Sequence, residues 1–292
     1  MPRKKPQANW PGLQEKGKAA SPHPEVRPPA VDGIFYPQEK RPLIDLIDRL
    51  VARETRMQER VVAVVVPHGA YLASGKVAGS VFSRIAPFPA AVIVGPNHAR
   101  MGKPFSLCSK GEWETPLGSL PVNEELARTI LAQVPEMEED PASHRDEHAV
   151  EVQLPFLKRL KKVTSFVPVA VASGDVRLLR QMAQGLARAV TEGGSWPLLI
   201  ATTHLTSYES RESVQEKDAV LLQQIVALDG EGLLKTTEET SSSMCAAAAT
   251  ALVLFTAKAL GASQGRVAAY QAGEDQPRSQ FPVVGYPGIF LQ

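Results

Sequence analysis

Only two cysteines, Cys108 and Cys245, occur in the 292 residues. That is too few for a disulfide framework and suits a reducing compartment, so the chain is expected to be cytoplasmic. An excess of one charge is missing too: 32 Lys and Arg stand against 31 Asp and Glu, a formal net charge of +1. No global field therefore draws the protein to nucleic acid or to anionic lipid. The longest apolar stretch, around residues 244–257, falls short of the ~20 residues a membrane span needs, and no basic-then-apolar leader precedes a cleavage site. Neither nucleic acid nor a membrane is expected as a partner. The phosphate-loop and dinucleotide-loop glycine patterns are absent. A literal GxSxG at residues 261–265 follows a helical stretch rather than a strand, so it reads as a helix C-terminal turn and not as a nucleophile elbow.

What is present is 43% hydrophobic and 22% charged, enough to bury one large core. Residues 1–28 read as a basic, proline-rich tail without an apolar period, which cannot offset its ordering entropy by burial. Residues 29–292 read as one domain. In it, continuous apolar runs at 61–66, 90–95, 165–172 and 197–203 look like strands covered on both faces. They alternate with helical patterns at 41–54, 75–85, 123–133, 146–162, 175–191, 210–228 and 243–260. The expectation is an α/β layered fold with a central, largely parallel (mixed) sheet flanked by helices, and with two late runs, 266–273 and 281–291, pairing as an antiparallel edge.

The placement of histidine is the most informative feature. Three of the six, His68, His98 and His204, follow the best strand runs directly, which puts each imidazole at a strand's C-terminal end, the edge where open α/β sheets bind ligands. A single strand-end histidine is more often structural. Three on neighbouring parallel strands, about 4.8 Å apart per step, can converge on one ion or substrate.

Cys245 opens a long apolar helical run, and a thiolate at a helix start is both a nucleophile and a soft metal ligand; the plain alternative is a small core residue. Cys108, in FSLCS, reads as core. The segment HRDEHAVEVQ carries His144, Glu147, His148 and Glu151. On one helix these would present an acid/base cluster to a cleft, or else a solvated first turn. The spacing is not HExxH.

Together the motifs RPPAVDGIFYP, VPHGAYLASG, VGPNHARMG, WETPLGSLPV, EHAVEVQLPFL, the strand leading to HLTSY, the Cys245 helix and VVGYPGIFL resemble the Memo family, whose microbial members are called AmmeMemoRadiSam system protein B. The resemblance implies a fold related to class III extradiol dioxygenases and a metal site with His68, His98 and Cys245 as ligands for Fe(II) or Cu. It leaves catalysis unassigned. It also implies, by association, an AMMECR-type domain and a radical SAM protein as partners. The chain departs from the family pattern in two places. Where SSDLSHY is usual it reads TTHLTSY, which puts His204 in the Asp place and Ser207 in the His place. PHGAY replaces PHAGY, shifting the glycine's permissive backbone by one residue.

The leading reading is a Memo-like metal-binding protein with a dioxygenase-like pocket and redox or oxygen chemistry, in which His148, His204 and Glu147 act as acid/base or supporting groups. The alternative is a non-catalytic module that keeps the pocket to bind a small molecule, peptide or protein. A third reading, a zinc hydrolase, would use His144, His148 and Glu151.

Overall fold

The computed structural model describes residues 26–51, 58–192, 194, 196–273 and 283–292. The tail expected over 1–28 lies outside them as far as residue 25. Val26–Arg27 form a strand, β1, and Arg27 is buried, so residues 26–28 belong to the fold and not to a tail.

The central strands are the four apolar runs of the sequence: β2 (Ala63–Val66), β3 (Ala91–Pro96), β8 (Phe166–Val171) and β9 (Leu198–Thr202). Every residue in them is buried. They lie side by side and parallel in the order β2-β9-β3-β8. Antiparallel additions make the sheet mixed. β4 (Phe105–Leu107) pairs with β8 and carries β7 (Glu138–Glu139). On the far side β12 (Val283–Leu291) pairs with β2, with β10 (Ser207–Glu209) and, along its whole length, with β11 (Gly265–Gly273). The late strand pair thus forms as expected, but β12 is an interior strand and only β11 is an edge. Among the described residues this sheet has nine strands, and β1, β5 (Glu112–Trp113) and β6 (Leu120–Pro121) make a small second one.

Alternation along the strands assigns their side chains to two helical layers. Ala63, Val65, Val92, Val94, Leu199 and Ala201 face a core shared with α3 (Glu124–Gln133), α6 (Val176–Thr191), α7 (Arg211–Val226), α8 (Gly230–Glu239) and α9 (Ala247–Ala259). Val64, Val66, Ala91, Ile93, Leu198 and Ile200 face a second core with α1 (Lys40–Leu50), α2 (Tyr71–Phe82) and α5 (Leu154–Arg159). A sheet covered on both sides is why these strands read as unbroken apolar runs. No helix among the described residues is long and apolar enough to cross a membrane.

Two helices differ from expectation. The pattern at 146–162 splits into α4 (His148–Glu151) and α5, because Pro155 has no N–H to donate back along the helix. The last helix begins at Ala247 rather than 243, so Cys245 occupies the turn just before it.

Candidate metal centre

The parallel neighbours β2, β9 and β3 end together, and the residues just past those ends bring His68, His204 and His98 to one place. The His68 ring lies 4.2 Å from that of His204 and 5.2 Å from that of His98. A fourth ring, His148 at the start of α4, stacks on His98 at 4.7 Å and stands 5.5 Å from His68. The turn before α9 supplies Cys245, whose Sγ is 3.3 Å from His68 Nε2 and accepts from the His204 backbone N–H at 3.3 Å.

Each group is held from behind. His68 Nδ1 lies 3.1 Å from Thr202 Oγ1. Glu147, the N-cap of α4, accepts from the Ala149 N–H and through its other oxygen from the His98 backbone N–H, while His98 Nδ1 approaches Oε1 at 2.9 Å. That carboxylate orients His98 so that Nδ1–H points at the acid and Nε2 points away. Serine hydroxyls stitch the Cys245 loop to the His204 loop: Ser243 Oγ accepts from Ser207 N and donates to Ser207 O, and Ser242 Oγ bonds Thr206 Oγ1. Gly69, the glycine of PHGAY, is not among the glycines with positive φ. A Cβ there would stand 3.1 Å from Ser74 Oγ and 3.4 Å from His204 Nε2, so the position is small to let neighbours close in.

The electrostatics follow from burial and proximity. Burial, with the like charge of its neighbours, pushes His68 well below the usual histidine value. Burial likewise lowers His204 to about 3 and His148 to about 4. It opposes charge on His98 as well, but hydrogen bonding to Cys245 and Glu147 outweighs it and lifts this ring to about 10. Glu147, in turn, is held at about 2 by His98 against its own burial. His98 is also the open side of the cluster, its side chain 34% exposed.

Two donor groups here could hold a cation, and they share His68 but divide His98 from Cys245, so the trio implied by the resemblance is not itself one of them. One ligand atom each from His68, His204 and Cys245 lie within 4.8 Å of one another, and the same holds for His68, His98 and His148. The buried Nε2 of His204 has no hydrogen-bond partner, the state of a donor atom facing an ion. His204 therefore reaches the centre from the neighbouring turn, while Ser207 lends its backbone to the Ser243 clasp.

The remaining candidates sit elsewhere. His144 is not on the helix of His148; it follows a 3-10 turn, packs its ring 6.0 Å from Trp113 and belongs to neither donor group. Glu151 accepts from Arg27, Tyr36 and two backbone N–H groups. The grouping His144, His148, Glu151 that a zinc hydrolase would need is not assembled. Cys108 is half-buried with its thiol on Lys110 O. Thr202 and Gln153, which lie behind His68, went unnoticed in the sequence. The threonine ends its strand two residues before His204, and the glutamine precedes the Leu-Pro that breaks the helix.

A Memo-like protein family model matches residues 27–290. A MEMO1 family protein of Methanopyrus kandleri is 33% identical over 279 residues, covering 91% of this chain and 99% of that protein. One from Aquifex aeolicus is 34% identical over 268 residues, with the same coverage of 91% and 99%. The crystal structure of an uncharacterized Escherichia coli K12 protein superposes with a TM-score of 0.43 at 13% identity, over 78% of this chain and 99% of that one, a likeness too distant to bear on function. With a family model matching residues 27–290 and a relative 33% identical over 91% of the chain, the chain belongs to the Memo family.

Proposed function

We propose that the protein binds one redox-active transition metal, Fe(II) or Cu, through His68, His98 and Cys245, and works on a small molecule or peptide at that centre. The observation that carries this reading is the 3.3 Å approach of His68 Nε2 to Cys245 Sγ beside the buried, partnerless Nε2 of His204. Imidazole with thiolate is a donor set suited to copper and iron, and the bound ion would supply redox or oxygen chemistry. The chain's own contribution is positional. Glu147 holds His98 by Nδ1 and so turns Nε2 toward the cluster, and His204 offers a fourth donor from the interior. His148, between His98 and Phe35, stands on the open side, where it can take or give a proton to a bound ligand. A second reading, a pocket that binds a peptide or small molecule without turnover, draws support from Ser207, a short hydroxyl where the family resemblance leads one to expect an imidazole.

Metal analysis of protein purified without an affinity tag and without air tests the first reading against Cys245→Ala. Stoichiometric Fe or Cu in the wild type and none in the variant is expected. No metal in either would overturn it, and partner capture would then test the second reading.

A further inference from the structure

Behind His68 lies a set of buried polar groups that includes one atom without a partner. Gln153, fully buried, sits in the break between α4 and α5. Its Nε2 is 2.9 Å from Pro67 O, 2.9 Å from Thr202 Oγ1 and 3.3 Å from Ala149 O. Two of these are backbone carbonyls, which only accept, so the amide cannot be turned to put its oxygen there. The consequence is that Oε1 is buried with no partner. A leucine would fill the space without that penalty, so the orphaned oxygen marks the amide nitrogen as retained for its hydrogen bonds.

The hydrogens can be followed one at a time. The two amide hydrogens go to the acceptors at 2.9 Å, one of which is the Thr202 hydroxyl. The Gln153 backbone N–H bonds Val150 O, which leaves Ala149 O for the Thr202 hydroxyl hydrogen at 3.4 Å. Having donated to Ala149 and accepted from Gln153, Thr202 Oγ1 keeps one lone pair, and His68 Nδ1 lies 3.1 Å from it. Nδ1 then carries the imidazole hydrogen, and Nε2 faces Cys245 with its lone pair bare. We propose that Gln153 and Thr202 are positioning residues, a relay that fixes His68 in the Nδ1–H tautomer and presents Nε2 as a metal donor. The inference rests on the metal-binding reading and deepens it.

The test loads wild type, Thr202→Val, Thr202→Ser, Gln153→Leu and Cys245→Ala anaerobically with Co(II), whose thiolate absorption band reports Cys245 coordination. In parallel, long-range 15N–1H spectra of the metal-free proteins report the His68 tautomer. Thr202→Val and Gln153→Leu are expected to weaken Co(II) binding about 10–100-fold and to lose the pure Nδ1–H tautomer, while Thr202→Ser keeps both. Wild-type binding with unchanged affinity in both Thr202→Val and Gln153→Leu overturns the relay and leaves the metal reading standing. A wild type with no thiolate band overturns the metal reading; the tautomer then judges the relay, Nε2–H in the wild type refuting it and Nδ1–H supporting it.

Discussion

Glu147 and Glu151 stand one helical turn apart, both buried, yet they do opposite work. Glu151 accepts from Arg27 Nη1 at 2.7 Å, Tyr36 OH at 2.7 Å and the backbone N–H groups of Ala30 and Val31. Arg27, lying 4.0 Å over the Trp113 ring, spends its other nitrogens on the carbonyls of His144 and Glu147. Donors and acceptors match, and nothing is left for a ligand. Glu147 instead serves a neighbour that also faces the Cys245 thiol, in a cluster where the buried Nε2 of His204 has no protein partner at all. Completed hydrogen bonding marks the first knot as structural, and leftover donor atoms mark the second as a place made for something else.

That contrast breaks most visibly at the structural knot. Glu151→Leu strands the Arg27 charge in the interior, and a denaturant titration should show about 3–5 kcal/mol lost, with metal stoichiometry of the folded fraction unchanged; a loss below about 1 kcal/mol would mean that the knot is not what secures the N-terminal segment. Glu147→Gln is the mirror experiment. Metal affinity should fall about 10–100-fold, the stability of the metal-free protein should fall as well because the buried pair with His98 is lost, and equal affinity would remove Glu147 from the centre.

His144 sharpens the comparison, since both ring nitrogens are buried without a well-formed hydrogen bond although its carbonyl accepts from Arg27 at the structural knot. Burial lowers it from the ordinary value of 6.5 to about 4. The unfolded chain therefore takes up a proton that the folded one refuses, and stability is lost as pH falls from about 6.5 towards 4. At pH 5 that loss is about 2 kcal/mol. His144→Phe should recover it relative to its effect at pH 7, as read from unfolding curves at the two pH values; a pH-independent effect would contradict the assignment. The smallest effect is expected for Gly69→Ala. The added Cβ crowds Ser74 Oγ and His204 Nε2, so metal affinity should drop a few-fold and stability by about 1 kcal/mol. Unchanged metal binding by calorimetry would show that His204 has room to spare.

The convergence of His68, His98 and His204 was legible because strand runs buried on both faces are the plainest signal in an α/β sequence, and a residue just past such a run has only one edge to occupy. Cys245 was legible as a helix-start thiol, although its helix begins two residues later. Other features carried no local signal. Arg27 lies in a stretch whose composition is that of a tail, and its burial comes from partners more than eighty residues away. α8 falls between the two helical patterns expected at 210–228 and 243–260; it starts with two glycines in its first three residues, which weaken a helical pattern, and Asp229 caps it through the Gly232 N–H. The division of labour between Glu147 and Glu151 was equally invisible. Both fit an acid/base helix face, and only the kink at Pro155 and the path of residues 26–36 separate them.

The strand that carries His68 completes its pairing late. Val65 is matched on one side by Ala201 and on the other by Ile289, so β2 remains a half-made edge until chain more than two hundred residues downstream has left the ribosome. Nascent protein therefore keeps an apolar strand without its full pairing, beside the His68 turn, for most of its synthesis, and a stalled or truncated product would carry the aggregation hazard of an open sheet.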